Sequence, residues 1–192
     1  TKLFLDRAEE NLEKPFLWSK IDKEWKSHTW QETSKNVKAF SSGLKAHGIK
    51  PGDRVVIVSE NRPEWIVADL AITMIGGITV PAYTTNTEDD HHYILEHSGA
   101  KAVITSNNIL ANRLALATTR TKYCKLLITI DNYNGFEPEG LNILSYNEIN
   151  NFGKNTIENS TDHLDKIQPD DTSCIIYTSG TGGRPKGVML TH

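Results

Sequence analysis

The spacing of apolar residues changes between helical and strand-like periods along the chain. Trp30, Val37, Phe40 and Leu44 recur at near-helical intervals, and together they form one apolar stripe. They follow Thr29-Trp30-Gln31-Glu32, where a hydroxyl and a carboxylate three residues apart make a capping box. The pattern predicts a helix from Thr29 that stops at Gly48, a residue that tolerates positive φ. Lys50-Pro51-Gly52-Asp53 is a tight turn by the placing of its Pro and Gly. Val55 to Val58 is apolar at every position. A strand apolar on both faces belongs in the middle of a parallel sheet.

The alternation then repeats. Asn61-Arg62-Pro63 opens a helix over about Glu64 to Ile75, with Pro63 acceptable in the first turn. That segment is apolar almost all round and is expected to be deeply buried. Gly76-Gly77 closes it, and Ile78 to Val80 is the next strand. Thr87, with Glu88, Asp89 and Asp90 behind it, caps a helix to about His97; its acidic first turn suits the positive end of the helix dipole. Ala102 to Thr105 reads as strand, Ile109 to Thr121 as helix and Leu126 to Ile130 as strand. The result is an α/β region with a largely parallel sheet flanked by helices.

Beyond Asp131 the pattern loosens. Asp131 to Gly140 is loop-like, Ser145-Tyr146-Asn147-Glu148 caps a short helix, and Asn150 to Gln168 reads as a polar surface connection. Residues 1–28 are taken as a lead-in, 29–168 as the α/β region, and 169–192 as the start of a further subdomain.

Composition narrows the classes open to the chain. Its 192 residues carry 21 basic and 24 acidic side chains, a net charge of −3, so no long-range field draws nucleic acid or anionic lipid. Two cysteines are too few for a disulfide scaffold. The most apolar stretch, Trp65 to Val80, is broken by Asp69, Thr73 and Gly76-Gly77 and is too short to span a bilayer. With no apolar leader near Thr1, a soluble cytoplasmic protein is expected.

The segment Thr172 to His192 carries the chemistry. Cys174 to Tyr177 is an apolar strand, Thr178 to Lys186 a loop of glycines, small hydroxyls and cations, and Val188 to Leu190 a second strand. Gly180, Gly182 and Gly183 let backbone N–H groups converge on one oxyanion, because no β-carbon blocks the approach. Thr178, Ser179 and Thr181 add hydroxyl donors, and Lys186 adds a full positive charge. Charge-assisted hydrogen bonds contribute about 1.5–3 kcal/mol each, enough in sum to hold a polyphosphate. A Walker A loop would end in Gly-Lys-Ser/Thr before a helix, whereas here Pro185-Lys186-Gly187 precedes a β-like run. A nucleophile elbow would need glycines on both sides of Ser179, where Tyr177 and Thr181 stand.

Tyr177-Thr178-Ser179-Gly180-Thr181-Gly182-Gly183-Arg184-Pro185-Lys186-Gly187 resembles the phosphate-binding loop of the adenylate-forming superfamily, with Gly182 where threonine is commoner. Thr29-Trp30-Gln31-Glu32, Gly48 to Val55, Asn61-Arg62-Pro63-Glu64-Trp65 and Gly76 to Pro81 are similar, in order, to the N-terminal blocks of acyl-CoA synthetases. Pro81 to Thr87, with Trp65, looks most like the long-chain fatty acyl branch.

The resemblance implies a two-step ligase. A carboxylate attacks the α-phosphorus of Mg2+-bound ATP to give an acyl-adenylate, and the thiol of coenzyme A then displaces AMP. Aryl or amino acid substrates, or a carrier-protein thiol, are the alternatives within the superfamily. It assigns β- and γ-phosphate binding to Thr178, Ser179, Gly180, Thr181, Gly182, Gly183 and Lys186, with Lys186 also catalytic, and no role to Arg184. A lipid substrate would put peripheral membrane contact within reach. The family's adenine, ribose and hinge motifs and its C-terminal lysine are not found before His192, so the 192-residue chain is expected to be inactive alone.

The other polar residues read as structural. His91, His92 and Glu96 are expected on a solvated helix face, and His47 at a helix C-terminus. Cys124 and Cys174 are expected as small core residues, and Trp65 as core. The adjacent pairs Asp89-Asp90 and Asp170-Asp171 do not share a face and suggest no acid/base dyad. No metal ligands are assigned.

Overall fold

The computed structural model describes residues 1–156, 164–179 and 183–192. Its centre is a seven-stranded sheet in the order β7-β6-β5-β3-β4-β8-β9. These strands are β3 (Arg54–Val58), β4 (Ile78–Pro81), β5 (Ala102–Thr105), β6 (Leu126–Thr129), β7 (Asn142–Ser145), β8 (Thr172–Thr178) and β9 (Lys186–Thr191). All neighbours are parallel except β8 and β9, which are antiparallel.

The continuous apolar runs are explained by two cores. Val55 and Ile57 of β3, Ala102 and Ile104 of β5, and Leu126 and Ile128 of β6 face one of them. Val56, Val58, Val103 and Leu127 face the other. Successive strand side chains point to opposite faces, so burial on both sides demands an apolar residue at every position.

The first core is closed by α2 (Trp30–Ala46), α3 (Pro63–Met74) and α6 (Tyr146–Asn155). The second is closed by α4 (Glu88–Ser98) and α5 (Asn108–Thr119). The capping boxes are formed at Thr29–Glu32, Thr87–Asp90 and Ser145–Glu148. Val37, Phe40 and Leu44 of α2 are fully buried, each stabilising the fold by about 1.5–3 kcal/mol relative to exposure. The turn before β3 closes through the Asp53 N–H donating to the Lys50 carbonyl at 3.0 Å, with Gly52 at φ 80°.

The structure adds to the expected pattern in three places. The lead-in is structured: α1 (Lys2–Asn11) is followed by a hairpin of β1 (Pro15–Ile21) and β2 (Glu24–Thr29), and Phe4 and Phe16 pack on Trp30. The first helix is therefore α1. The polar stretch from Asn150 is not all surface connection, because α6 runs to Asn155 with Asn150 and Gly153 buried. Residues 157–163 of that stretch lie outside the described residues, and Leu164–Lys166 form a 3₁₀ turn. Finally, α5 starts at Asn108, capped by Asn107, whose side chain accepts from the Leu110 N–H at 3.0 Å.

Candidate functional site

The glycine-rich segment lies where the sheet changes direction. β8 enters parallel to β4, and β9 returns antiparallel to β8 with Thr178 opposite Lys186 and Tyr177 opposite Gly187. A hydroxyl-bearing residue and a lysine are thus cross-strand partners at the mouth of the loop. Thr178, Ser179, Gly183 and Lys186 are all exposed. Gly183 holds φ 119°, a region that side chains rarely adopt, so its glycine is required by the backbone. Among the described residues Lys186 makes no ion pair. Gly180, Thr181 and Gly182, the other expected phosphate-binding positions, lie outside the described residues.

The stem of this loop rests on α4. Tyr93 donates its hydroxyl to the Pro185 carbonyl at 2.8 Å, and the Arg184 guanidinium lies 5.2 Å over the Tyr93 ring. The Tyr177 hydroxyl is 2.8 Å from His97 Nδ1. Burial, and then Tyr93 nearby, push the Tyr177 phenol up to about 12, so it keeps its proton at neutral pH. These contacts were not foreseen in the sequence. The signal available was an aromatic pair, Tyr93 and His97, spaced i, i+4 on a helix otherwise read as polar.

A second polar cluster occupies the C-terminal ends of β3, β5 and β6. Asn107 donates to Glu60 at 3.0 Å, and Arg62 donates to Glu64 at 2.8 Å and to Asp131 at 3.0 Å. Hydrogen bonding from Ser106 holds the Glu60 carboxyl below its ordinary range. Burial pushes Glu64 up, but hydrogen bonds from Arg62 and its own backbone N–H, with the nearby cations, together hold the carboxyl low. With these partners the cluster ties the strand ends to α3 and α5.

The histidines divide. His47 accepts the expected helix-end role, its Nδ1 2.8 Å from the Gly43 carbonyl. His91 does not lie on a solvated face: it is 1% exposed, and neither ring nitrogen has a hydrogen-bond partner. Its position on α4 points into the second core with Ile94 and Leu95. Burial and the Arg113 cation hold it neutral, with its pKa pushed down to about 4. Cys124 is buried and its thiol is pushed up to about 12, as fits a core residue. Cys174 is only half-buried, and burial and then Asp69 raise its thiol. Trp65 is partly buried against the first core. His192 follows β9 at the end of the hairpin away from the glycine-rich loop.

Comparison with known proteins gives the family. A family model described as AMP-binding enzyme matches residues 4–192. The chain is 31% identical over 172 residues to the peroxisomal long chain acyl-CoA synthetase 7 of Arabidopsis thaliana, covering 85% of this chain and 23% of that protein. It is 31% identical over 174 residues to the chloroplastic long-chain-fatty-acid–[acyl-carrier-protein] ligase AEE15 of the same organism, covering 85% and 24%. In structure it resembles the anthranilate CoA ligase AuaEII, solved with anthranoyl-AMP, with TM-score 0.79, 21% identity, and coverage of 98% of this chain and 34% of that one.

The chain therefore belongs to the AMP-binding enzyme family, the adenylate-forming ligases, and its α/β sheet is that of their N-terminal domain. Its homologues include long-chain acyl-CoA ligases, and it spans about a quarter of the length of the curated relatives named above. Among the described residues no helix is long and apolar enough to cross a membrane.

Proposed function

We propose that the whole protein is an ATP-dependent, AMP-forming acyl-CoA ligase that activates a long-chain fatty carboxylate. The observation that carries this reading is the Tyr177–Gly187 sequence, whose flanking strands reverse direction with Thr178 paired to Lys186. In this reading Thr178, Ser179, Gly180, Thr181, Gly182, Gly183 and Lys186 hold the β- and γ-phosphates. Lys186 stabilises the charge that builds on pyrophosphate as the carboxylate displaces it, which is electrostatic catalysis. The exposed hydroxyls of Thr178 and Ser179 are hard oxygen donors that would suit Mg2+, and the ion, arriving with the nucleotide, would supply further charge neutralisation. Among the described residues no cluster of three or more His, Cys, Asp or Glu side chains could hold a metal ion by itself.

Coenzyme A is the thiol acceptor in this reading. The acyl-carrier-protein ligase among the relatives favours a carrier-protein thiol as the second reading. Residues 169–192 then begin the next subdomain, and the enzyme works in the cytoplasm. The test is ATP–pyrophosphate exchange by the full-length protein across a panel of carboxylates. Exchange should be strongest with long-chain fatty acids and fall at least about 100-fold in Lys186→Ala, the scale of losing one charge-stabilising group. Unchanged exchange in that variant overturns the role given to Lys186, and a preference for aryl or amino acids overturns the substrate class.

A further inference from the structure

We propose that Tyr93 and His97 of α4 are positioning residues for the glycine-rich loop, clamping both strands of its stem so that Lys186 leaves it in one direction. The inference rests on reading that loop as a phosphate site and adds a part lying outside the loop.

Tyr93 and His97 are four residues apart and share one helix face. From that face His97 reaches Tyr177 on the incoming strand, and Tyr93 reaches the Pro185 carbonyl on the returning one. The two tyrosine rings meet edge to face, 6.2 Å apart at 81°. A single helical turn therefore holds both sides of the hairpin.

The bond to Pro185 matters most. A peptide unit is planar, so fixing the Pro185 carbonyl also fixes the N–H and Cα of Lys186, which belong to the same plane. Pro185 itself has a locked φ, which removes a further freedom. Gly187 makes room for the arrangement: it stands opposite Tyr177, and a β-carbon there would lie 3.5 Å from the Tyr177 ring and 2.8 Å from Ile175 Cγ2. The Pro-Lys-Gly triplet thus reads as stiffener, ligand and gap. Arg184 is stacked on the clamp itself.

The test compares wild type, Tyr93→Phe and Tyr93→Ala forms of the full-length protein. Hydrogen–deuterium exchange over residues 183–189 is followed beside titration with inorganic tripolyphosphate. Loss of one hydrogen bond should speed exchange there about five-fold in Tyr93→Phe, and further in Tyr93→Ala. The amides of β3 and β5 should be unchanged, and tripolyphosphate should bind Tyr93→Phe several-fold more weakly than wild type. Unchanged exchange over 183–189, or faster exchange in β3 and β5 as well, overturns the clamp. Faster exchange with wild-type affinity in Tyr93→Phe overturns its positioning role. If wild type binds no tripolyphosphate while exchange still responds, the phosphate reading falls and the clamp stands.

Discussion

Gly153 of α6 lies on the backbone of α2 beside Gly43. A β-carbon on Gly153 would overlap the Ala39 carbonyl and come within 2.8 Å of the Gly43 nitrogen, and one on Gly43 would overlap the Ile149 carbonyl. Two glycines on facing helices let the backbones approach where no side chain fits. Gly153→Ala and Gly43→Ala should therefore each destabilise the chain by about 1–3 kcal/mol, the usual cost of overpacking. Urea unfolding followed by circular dichroism measures it, and a midpoint equal to wild type would refute the close contact.

The capping boxes give a smaller effect. Thr29 accepts from the Glu32 N–H at 3.1 Å, and Glu32 accepts from the Thr29 N–H at 2.9 Å. Thr87 and Asp90 do the same at the start of α4. Thr29→Ala or Thr87→Ala should each cost about 1 kcal/mol. Thermal melts would show this as a small drop in Tm, while replacement by Ser should restore most of it.

His91 makes stability depend on pH. Its folded pKa is about 4, below the ordinary value of 6.5, so between these two the unfolded chain binds the extra proton. Stability contributed by neutral His91 is present above pH 6.5 and is lost as pH falls toward 4, by an amount on the order of 3 kcal/mol. Denaturant midpoints taken from pH 7 to pH 4 should fall steeply in wild type and less steeply in His91→Leu. Parallel curves for the two would exclude His91 as the source.

Thiol reactivity separates the cysteines. Cys124 is 1% exposed, and its thiol is pushed up to about 12 by burial, so almost no thiolate is available at pH 8. Cys124 should react with maleimide only on unfolding, and half-buried Cys174 should react slowly in the native chain. Rapid labelling of Cys124 in native buffer, read by mass spectrometry, would contradict the core placement.

What the sequence disclosed depended on how local each signal was. A capping box is complete within four residues, so Thr29, Thr87 and Ser145 announced their helices directly. Val55 to Val58 announced a central strand, because burial on both faces leaves no polar position. β7 went unseen: it is an edge strand, its Asn142 is exposed, and it needs no continuous apolar run. The length of α6 was hidden by asparagines of low helix propensity, and packing of Gly153 on α2 outweighs that propensity. His91 looked solvated among Asp90, His92 and Glu96, and only the docking of α4 on the sheet decides which side of the helix is inside. For the site, the loop's residue types stand in one continuous stretch and were legible. The grip of α4 on the stem joins residues eighty or more positions apart and was not.

The union of β4 with β8 has a mechanical consequence. The parallel neighbours around β3 are zipped by four registered pairs each, but β8 meets β4 through a single one, Thr79 with Cys174. The β8–β9 hairpin, paired within itself at six positions, is therefore held to the rest of the molecule by the α4 side chains as well as by strand pairing. Under applied force β8 should leave β4 only once the hold of α4 on Tyr177 and Pro185 has also been lost. The hairpin would then swing as one piece, carrying the glycine-rich loop with it, while the parallel strands behind it stay closed.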